Sequence, residues 1–144
     1  MRVLFDTSVL VAALVVNHSQ HNVCLPWLEN AKTSQIQGLI STHSLAELYS
    51  VLTRLPYQPP ISHTLAQQLI LENLQNFEKV PLTEADYHTA IAQMVDLRIA
   101  GGGVFDALIA QAALKANANT LLTLNARHFI RLGDAIAALT RIPE

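Results

Sequence analysis

Short apolar runs alternate with longer amphipathic stretches along the chain. A buried strand is predicted by the first run, RVLF, and a buried helix by the stretch TSVLVAALVV that follows Asp6. Further strands are predicted in IQGLIS, EKVPL and NTLLTL, and a weak one near the C-terminus in LTRIP. Helices are predicted in SQHNVCLPWLENAK, THSLAELYSVLTRL, SHTLAQQLILENLQNF, TEADYHTAIAQMVDLRIA, VFDALIAQAALKANA and ARHFIRL.

Two of these helices carry an apolar stripe at helical spacing, the pattern of a helix that packs against a core. In THSLAELYSVLTRL the stripe consists of Leu45, Leu48, Tyr49 and Leu52. In VFDALIAQAALKANA it consists of Phe105, Leu108, Ile109 and Ala112. A proline-rich turn, PYQPP, ends the first of these helices, and GGG breaks the chain before the second.

The alternation of strands and helices predicts an α/β fold with a mostly parallel sheet and helices on both faces. A chain of 144 residues is long enough to bury one substantial core, so we expect a single domain over residues 1–144. Hydrophobic residues make up 51% of the chain, which favours a sheet covered on both faces or a buried oligomer interface. Such folds bind ligands at the carboxyl ends of their strands.

The charge balance and the cysteine count narrow the class of protein. Nine basic residues against eleven acidic ones give a net charge of -2, so the strongly basic surface of many nucleic-acid-binding proteins is missing. The lone Cys24 excludes an internal disulfide and a cysteine-rich zinc site. The apolar run after Asp6 has neither the flanks of a signal peptide nor the length of a membrane span, so we expect a cytoplasmic protein.

Four polar residues stand where a ligand site is expected. Asp6 directly follows the first strand, Asn125 follows the strand in NTLLTL, Asp106 falls in the first turn of its helix, and Glu47 lies early in another. Each has a structural alternative, because Asp6 and Asn125 fit helix N-caps, Ser44 and Glu47 have capping-box spacing, and Asp106 complements the helix dipole. Capping does not explain why these acids stand beside long apolar runs, whereas a shared cation does.

Oxygen ligands from carboxylates and an amide suit Mg²⁺ or Mn²⁺, which readily bridge substrate phosphates. The six histidines offer no rival site, since none belongs to an HExxH motif, His18 and His21 lack a partner pair at helical ligand spacing, and His43, His63 and His88 are isolated. We expect solvated or capping roles for them. The segments FDTS and GGGVFD also lack the second acid of a DxD phosphatase and the context of a dinucleotide fingerprint, and a Walker lysine motif is absent.

Four segments together carry a family resemblance: VLFDTSVL, HSLAELYSVLTR, GGGVFDALIAQAAL and LLTLNARHF. In this order and at these separations they resemble a PIN domain, in particular the toxin of VapBC-type toxin–antitoxin systems. The resemblance spans nearly the whole chain. It implies a three-layer α/β/α sandwich with a mostly parallel central sheet, and a ribonuclease that uses Mg²⁺ or Mn²⁺ and leaves a 5′-phosphate and a 3′-hydroxyl.

The resemblance also implies roles for individual residues. Asp6, Glu47 and Asp106 match the three acidic positions of the family, where they would be both catalytic and metal-binding. Phosphodiester hydrolysis fits this set, with Asp6 and Asp106 as principal ligands and Glu47 acting through water or as a base. Ser8 matches a small hydroxyl that supports the site, or it simply begins a helix. Asn125 departs from the Asp often found at the fourth position, so one bound metal is favoured over two.

RNA contacts and partners are the last expectations. Arg127, His128 and Arg131 lie just beyond Asn125, where they contact RNA phosphates or form a solvated helix face. The resemblance implies a homodimer and a VapB-type antitoxin whose C-terminal segment covers the acidic groove. The target RNA cannot be read from the sequence.

Two hypotheses other than an active nuclease remain open. The first is a catalytically silent PIN-like domain that binds RNA or a protein partner, which only Asn125 favours. The second is a structural oligomer subunit in which the acids are helix caps.

Overall fold

Five parallel strands form the centre of the fold in this computed structural model, which describes residues 1–144. In spatial order the strands are β3, β2, β1, β4 and β5, and every neighbouring pair is parallel. Their bounds are β1 (Arg2–Phe5), β2 (Gln37–Ser41), β3 (Glu78–Val80), β4 (Thr120–Leu122) and β5 (Thr140–Arg141). All five lie in the apolar runs that predict them.

Eight helices connect and cover the strands. They are α1 (Thr7–Leu14), α2 (His21–Lys32), α3 (Thr42–Arg54), α4 (His63–Asn73), α5 (Glu84–Leu97), α6 (Gly103–Lys115), α7 (Ala126–Ile130) and α8 (Asp134–Leu139). The first seven are predicted by the sequence. The eighth, α8, is missed, because a helix of six residues leaves too short a pattern to be recognised between a turn and a strand.

The sheet separates two hydrophobic cores. Because side chains alternate along a strand, Val3 and Phe5 of β1 enter one core and Leu4 enters the other. Helices α1, α2, α3 and α4 contribute to the first core, and α5, α6, α7 and α8 to the second. The predicted three-layer α/β/α sandwich is therefore confirmed.

Two aromatic residues depart from the predicted apolar stripes. Leu48 and Leu52 of α3 are fully buried, but Tyr49 stays exposed. Leu108, Ile109 and Ala112 of α6 are buried, but Phe105 is 45% exposed. Both aromatic rings can reach out from the edge of a stripe, so helical spacing alone overestimates their burial.

No helix in the structure combines the length and the apolar character that crossing a membrane requires.

Candidate active site

The four polar residues singled out by the sequence line one cleft of about 450 Å³, and Ser8 lines it with them. Strands β1 and β4 are hydrogen-bonded neighbours, so Asp6 and Asn125, which follow them, lie at the same edge of the sheet. Glu47 reaches the cleft from α3 and Asp106 from α6. Segments far apart in the chain thus contribute one acidic cleft at the carboxyl ends of parallel strands.

Asp6 lies at the floor of this cleft, where it is only 5% exposed. Its Oδ2 atom accepts hydrogen bonds from the hydroxyls of Ser8 and Thr123, each at 2.7 Å. The two hydroxyls are held in turn, because the Leu124 N–H donates to Ser8 Oγ at 3.1 Å and the Asn125 N–H donates to Thr123 Oγ1 at 2.9 Å. This network fixes the carboxylate and joins the end of β1 to the loop after β4.

The helix-capping alternatives do not describe the acids of this cleft. Asp6 and Asn125 occupy N-cap positions, but neither side chain makes a capping hydrogen bond. The cap of α3 is Ser41, whose hydroxyl accepts from the Ser44 N–H at 3.1 Å, so the Ser44 and Glu47 capping box is wrong.

Helix α3 begins at Thr42, which places Glu47 in its second turn. Asp106 does lie in the first turn of α6, as predicted, where the helix dipole favours its charge.

Two carboxylates of the cleft, Asp6 and Asp106, have raised pKa values. Burial raises the pKa of Asp6, and the Glu47 charge raises it further, against the lowering effect of the two hydroxyl hydrogen bonds. Burial raises the pKa of Asp106 to about 6, with further contributions from the charges of Asp6 and Glu47. The carboxylates therefore repel one another across the cleft, and a cation between them would relieve that repulsion.

Two histidines contact the acids, although the sequence predicts His43 to be isolated and His128 to contact RNA phosphates or to lie on a solvated helix face. His128 Nδ1 lies 3.6 Å from Asp106 Oδ2, and His43 Nε2 lies 3.8 Å from Glu47 Oε2. The positive charges of His128 and of Arg131 lower the pKa of Asp106, although less than burial raises it. His43 precedes Glu47 by four residues on one helix, a spacing that could have revealed the contact.

The chemistry of the donor set fits Mg²⁺ or Mn²⁺, since the side chains facing the cleft are rich in oxygen. Both hydroxyl hydrogen bonds of Asp6 fall on Oδ2, so neither occupies Oδ1. Thr7 also lines the cleft, and its buried hydroxyl has no hydrogen-bond partner. The acids stay spread apart, and no three His, Cys, Asp or Glu side chains are arranged to hold an ion as they stand.

Sequence reasoning misses several residues of the cleft. Thr123 is fully buried and contacts Asp6 directly, and its signal is a hydroxyl inside the otherwise apolar run NTLLTL. Thr7, His18 and Gln20 also line the cleft. The last two come from the segment between α1 and α2, whose path over the site no periodicity encodes.

Comparisons with known proteins agree with this architecture. A sequence model of the PIN domain matches residues 3–135. The chain is 35% identical over 124 residues to Ribonuclease VapC27 of Mycobacterium tuberculosis, which covers 85% of this chain and 83% of that protein. It is 31% identical over 119 residues to Ribonuclease VapC40 of the same species, which covers 81% of each.

Two solved structures are similar in fold. One is VapBC2 from Rickettsia felis bound to a DNA fragment from its promoter, with a TM-score of 0.70, 21% identity and full coverage of both chains. The other is VapC20 of Mycobacterium tuberculosis, described as a sarcin-ricin loop cleaving toxin, with a TM-score of 0.66 and 16% identity over 83% of this chain and 86% of that one.

Proposed function

This chain belongs to the PIN-domain family, and from that premise we propose that it is a metal-dependent ribonuclease, the toxin of a VapBC-type toxin–antitoxin system. The observation that carries the proposal is the cleft that Asp6, Glu47 and Asp106 line together from three separate parts of the fold. We further propose that residues 1–144 act as a single PIN domain and that the protein works in the cytoplasm.

The proposed reaction is hydrolysis of an RNA phosphodiester. Asp6 and Asp106 would hold Mg²⁺ or Mn²⁺ through their carboxylate oxygens, and the ion would supply polarisation of the phosphoryl oxygen and a water of lowered pKa. Ser8 and Thr123 keep the Asp6 carboxylate in one orientation. Glu47 accepts the proton of the attacking water or orients that water, since it enters the cleft from α3, in the helix layer opposite the one that carries Asp106.

Asn125 sets the proposed number of ions. Its side chain lines the cleft but contributes a neutral amide oxygen where an acidic residue would add a charge. A neutral amide in place of a carboxylate weakens a second metal site, because the amide adds no negative charge to hold the ion. We therefore propose one tightly held ion, with Asn125 as an outer ligand or a contact to its waters.

Positive side chains next to the acids support an RNA substrate despite the net charge of -2. His128 Nδ1 lies 3.6 Å from Asp106 Oδ2, and Arg131 acts electrostatically on the same carboxylate, so both side chains are near the place where a phosphate would bind. Arg127 lies on the same short helix, α7, as His128. The three side chains form a small local basic edge, which suits a short RNA loop better than a long tract.

Two partners are part of the proposal. The relatives named VapC and the similar VapBC2 structure support a VapB-type antitoxin as a partner, and the family resemblance implies that its C-terminal segment covers the acidic cleft. A homodimer is proposed from the family resemblance, and the exposed apolar side chains of α5, among them Ile91 and Val95, are compatible with it.

The test is cleavage of a structured RNA by antitoxin-free protein, with Mg²⁺ or Mn²⁺, with chelator, and with the Asp106→Asn variant purified in parallel. We expect cleavage that needs metal and disappears in the variant. Equal cleavage by both proteins would mean a contaminating nuclease. If neither protein cuts any of several RNAs, the domain is catalytically silent, and Asn125→Asp becomes the variant that should restore activity.

A further inference from the structure

An aromatic stack lies beside the acidic cleft, on the same two helices as Glu47 and Asp106. The rings of His43 and Phe105 are stacked almost parallel, with their centroids 5.0 Å apart and their planes inclined by 9°. Phe105 is nevertheless 45% exposed. Since His43 covers one face of the phenyl ring, the exposed area belongs to its remaining face and edges.

The position of this stack relates it to the proposed chemistry. Phe105 directly precedes Asp106 in α6, and His43 lies one turn before Glu47 in α3, with its Nε2 3.8 Å from Glu47 Oε2. The stack therefore bridges the two helices that carry two of the three acids. The stack lies close enough to the cleft for a nucleotide that adjoins the bound phosphate to reach it.

Burial does not account for Phe105. Its neighbours on the predicted apolar stripe, Leu108, Ile109 and Ala112, are all buried in the core, while the phenyl ring lies outside against an imidazole. A large apolar ring left partly in water gains free energy when a flat partner covers it. A nucleobase is such a partner, and every base has a face that can stack.

We propose that the His43–Phe105 stack is a platform for one unpaired nucleobase next to the phosphate that is cut. The inference rests on the proposed ribonuclease function and adds to it a subsite for one base, which RNA loops and single strands can fill because their bases are free to leave their neighbours and stack on protein aromatics. A base-paired duplex keeps its bases inside the helix, so it cannot use the platform. Phe105 is then a binding and positioning residue, and Asp6, Glu47 and Asp106 remain the catalytic ones.

The test measures RNA binding without relying on turnover. In the Asp106→Asn background, the affinity for a short RNA hairpin is measured by fluorescence anisotropy with and without Phe105→Ala. The matched control is Leu114→Ala, because Leu114 lies on the same helix and is also 45% exposed. Phe105→Trp tests rescue by another aromatic ring, and thermal unfolding verifies that each variant is folded.

A cycle with modified RNA identifies the contact as stacking. Each loop nucleotide is replaced in turn by an abasic nucleotide, which keeps the phosphate and removes the base. We expect Phe105→Ala to weaken binding about tenfold, Phe105→Trp to restore it, and Leu114→Ala to change it less than twofold. At one loop position the abasic RNA should bind equally to the proteins with and without Phe105.

Several results would overturn the platform. One is a Phe105→Ala effect no larger than that of Leu114→Ala, and another is a Phe105→Ala loss that persists at every abasic position. If Phe105→Ala instead weakens only binding of an antitoxin or a second copy of the chain, the stack is a protein contact and the proposal is wrong.

A failure of the proposed ribonuclease function would be distinguishable from a failure of the base platform. In the first case the protein with Asp106 intact cuts no RNA, whereas the binding cycle still decides whether bases stack on Phe105.

Discussion

Replacing Asp106 with Asn should make the metal-free protein more stable while it removes activity. In the cleft, burial and the charges of Asp6 and Glu47 raise the pKa of Asp106 to about 6, from 3.8 in an unperturbed carboxyl. The ionised side chain therefore costs folding free energy near neutral pH. An amide has similar shape and no charge, so the substitution removes this cost with little change in packing.

The size of the effect follows from the pKa shift. A shift of about 2 units corresponds to an upper limit of about 3 kcal/mol, at about 1.4 kcal/mol per unit. Asp106 is only half-buried, and screening by solvent reduces the gain. The lost favourable interaction with the start of α6 subtracts about 0.5 kcal/mol more. We expect a net stabilisation of about 1 kcal/mol at pH 7, which raises Tm by about 3 °C in a domain of this size.

The pH dependence has a defined sign. Because the folded-state pKa of Asp106 lies above its unfolded value, the native protein loses stability as pH rises from about 4 to about 6. The Asn variant does not share this loss. The difference in Tm between the two proteins should therefore be close to zero at pH 4, grow through this window, and stay constant above pH 7.

Thermal unfolding in the presence of chelator, followed from pH 4 to pH 8, measures this difference. Asp134→Asn is the control, since Asp134 also lies in the first turn of a helix but is exposed and outside the cleft. Added Mg²⁺ should raise the Tm of the native protein and not that of Asp106→Asn. The repulsion among the carboxylates would be refuted if Asp106→Asn were less stable than the native protein at pH 7, or if the difference in Tm between the two proteins were independent of pH.

Two further substitutions test the surroundings of the site and the frame that carries it. Thr123→Val should destabilise the protein by about 1–2 kcal/mol in urea unfolding and slow cleavage, because the buried Asp6 carboxylate loses a hydroxyl donor at 2.7 Å. An unchanged free energy of unfolding together with an unchanged cleavage rate would contradict this role of Thr123. Asp86→Ala should cost about 1 kcal/mol without slowing cleavage, because it removes the capping box with Thr83 at the start of α5. The Lys115 hydrogen bond and the capping bond hold the pKa of Asp86 down at about 2. The stability lost in Asp86→Ala should therefore be present above pH 4 and fade as pH falls toward 2. A loss of stability that is independent of pH would contradict this explanation.

The sequence predicts the fold and the location of the site because both depend on local patterns. Strand β1 ends at Phe5, directly before Asp6, and β4 ends at Leu122, three residues before Asn125. Parallel strands that are neighbours in the sheet must bring such residues to one edge. The apolar pattern predicts where the strands lie, and the alternation of strands and helices predicts that helices cover both faces of the sheet.

Details of side-chain position could not be predicted in the same way. The start of α3 at Thr42, set by the Ser41 cap, moves Glu47 to the second turn and leaves it free to face the cleft. Helical spacing places Phe105 with buried neighbours, but the ring turns outward onto His43 of another helix. Such contacts depend on how α3 and α6 pack against each other, which a single sequence does not specify.

The ends of the RNA fragments test the central claim most directly. A synthetic hairpin, cut by antitoxin-free protein in Mg²⁺, is analysed by mass spectrometry for the groups at the new termini. Hydrolysis by a water activated at the Asp6, Glu47 and Asp106 cleft predicts a 5′-phosphate and a 3′-hydroxyl, with no product in chelator or with Asp106→Asn. A 2′,3′-cyclic phosphate formed in chelator would contradict the account, because attack by the ribose 2′-hydroxyl needs neither the ion nor these carboxylates.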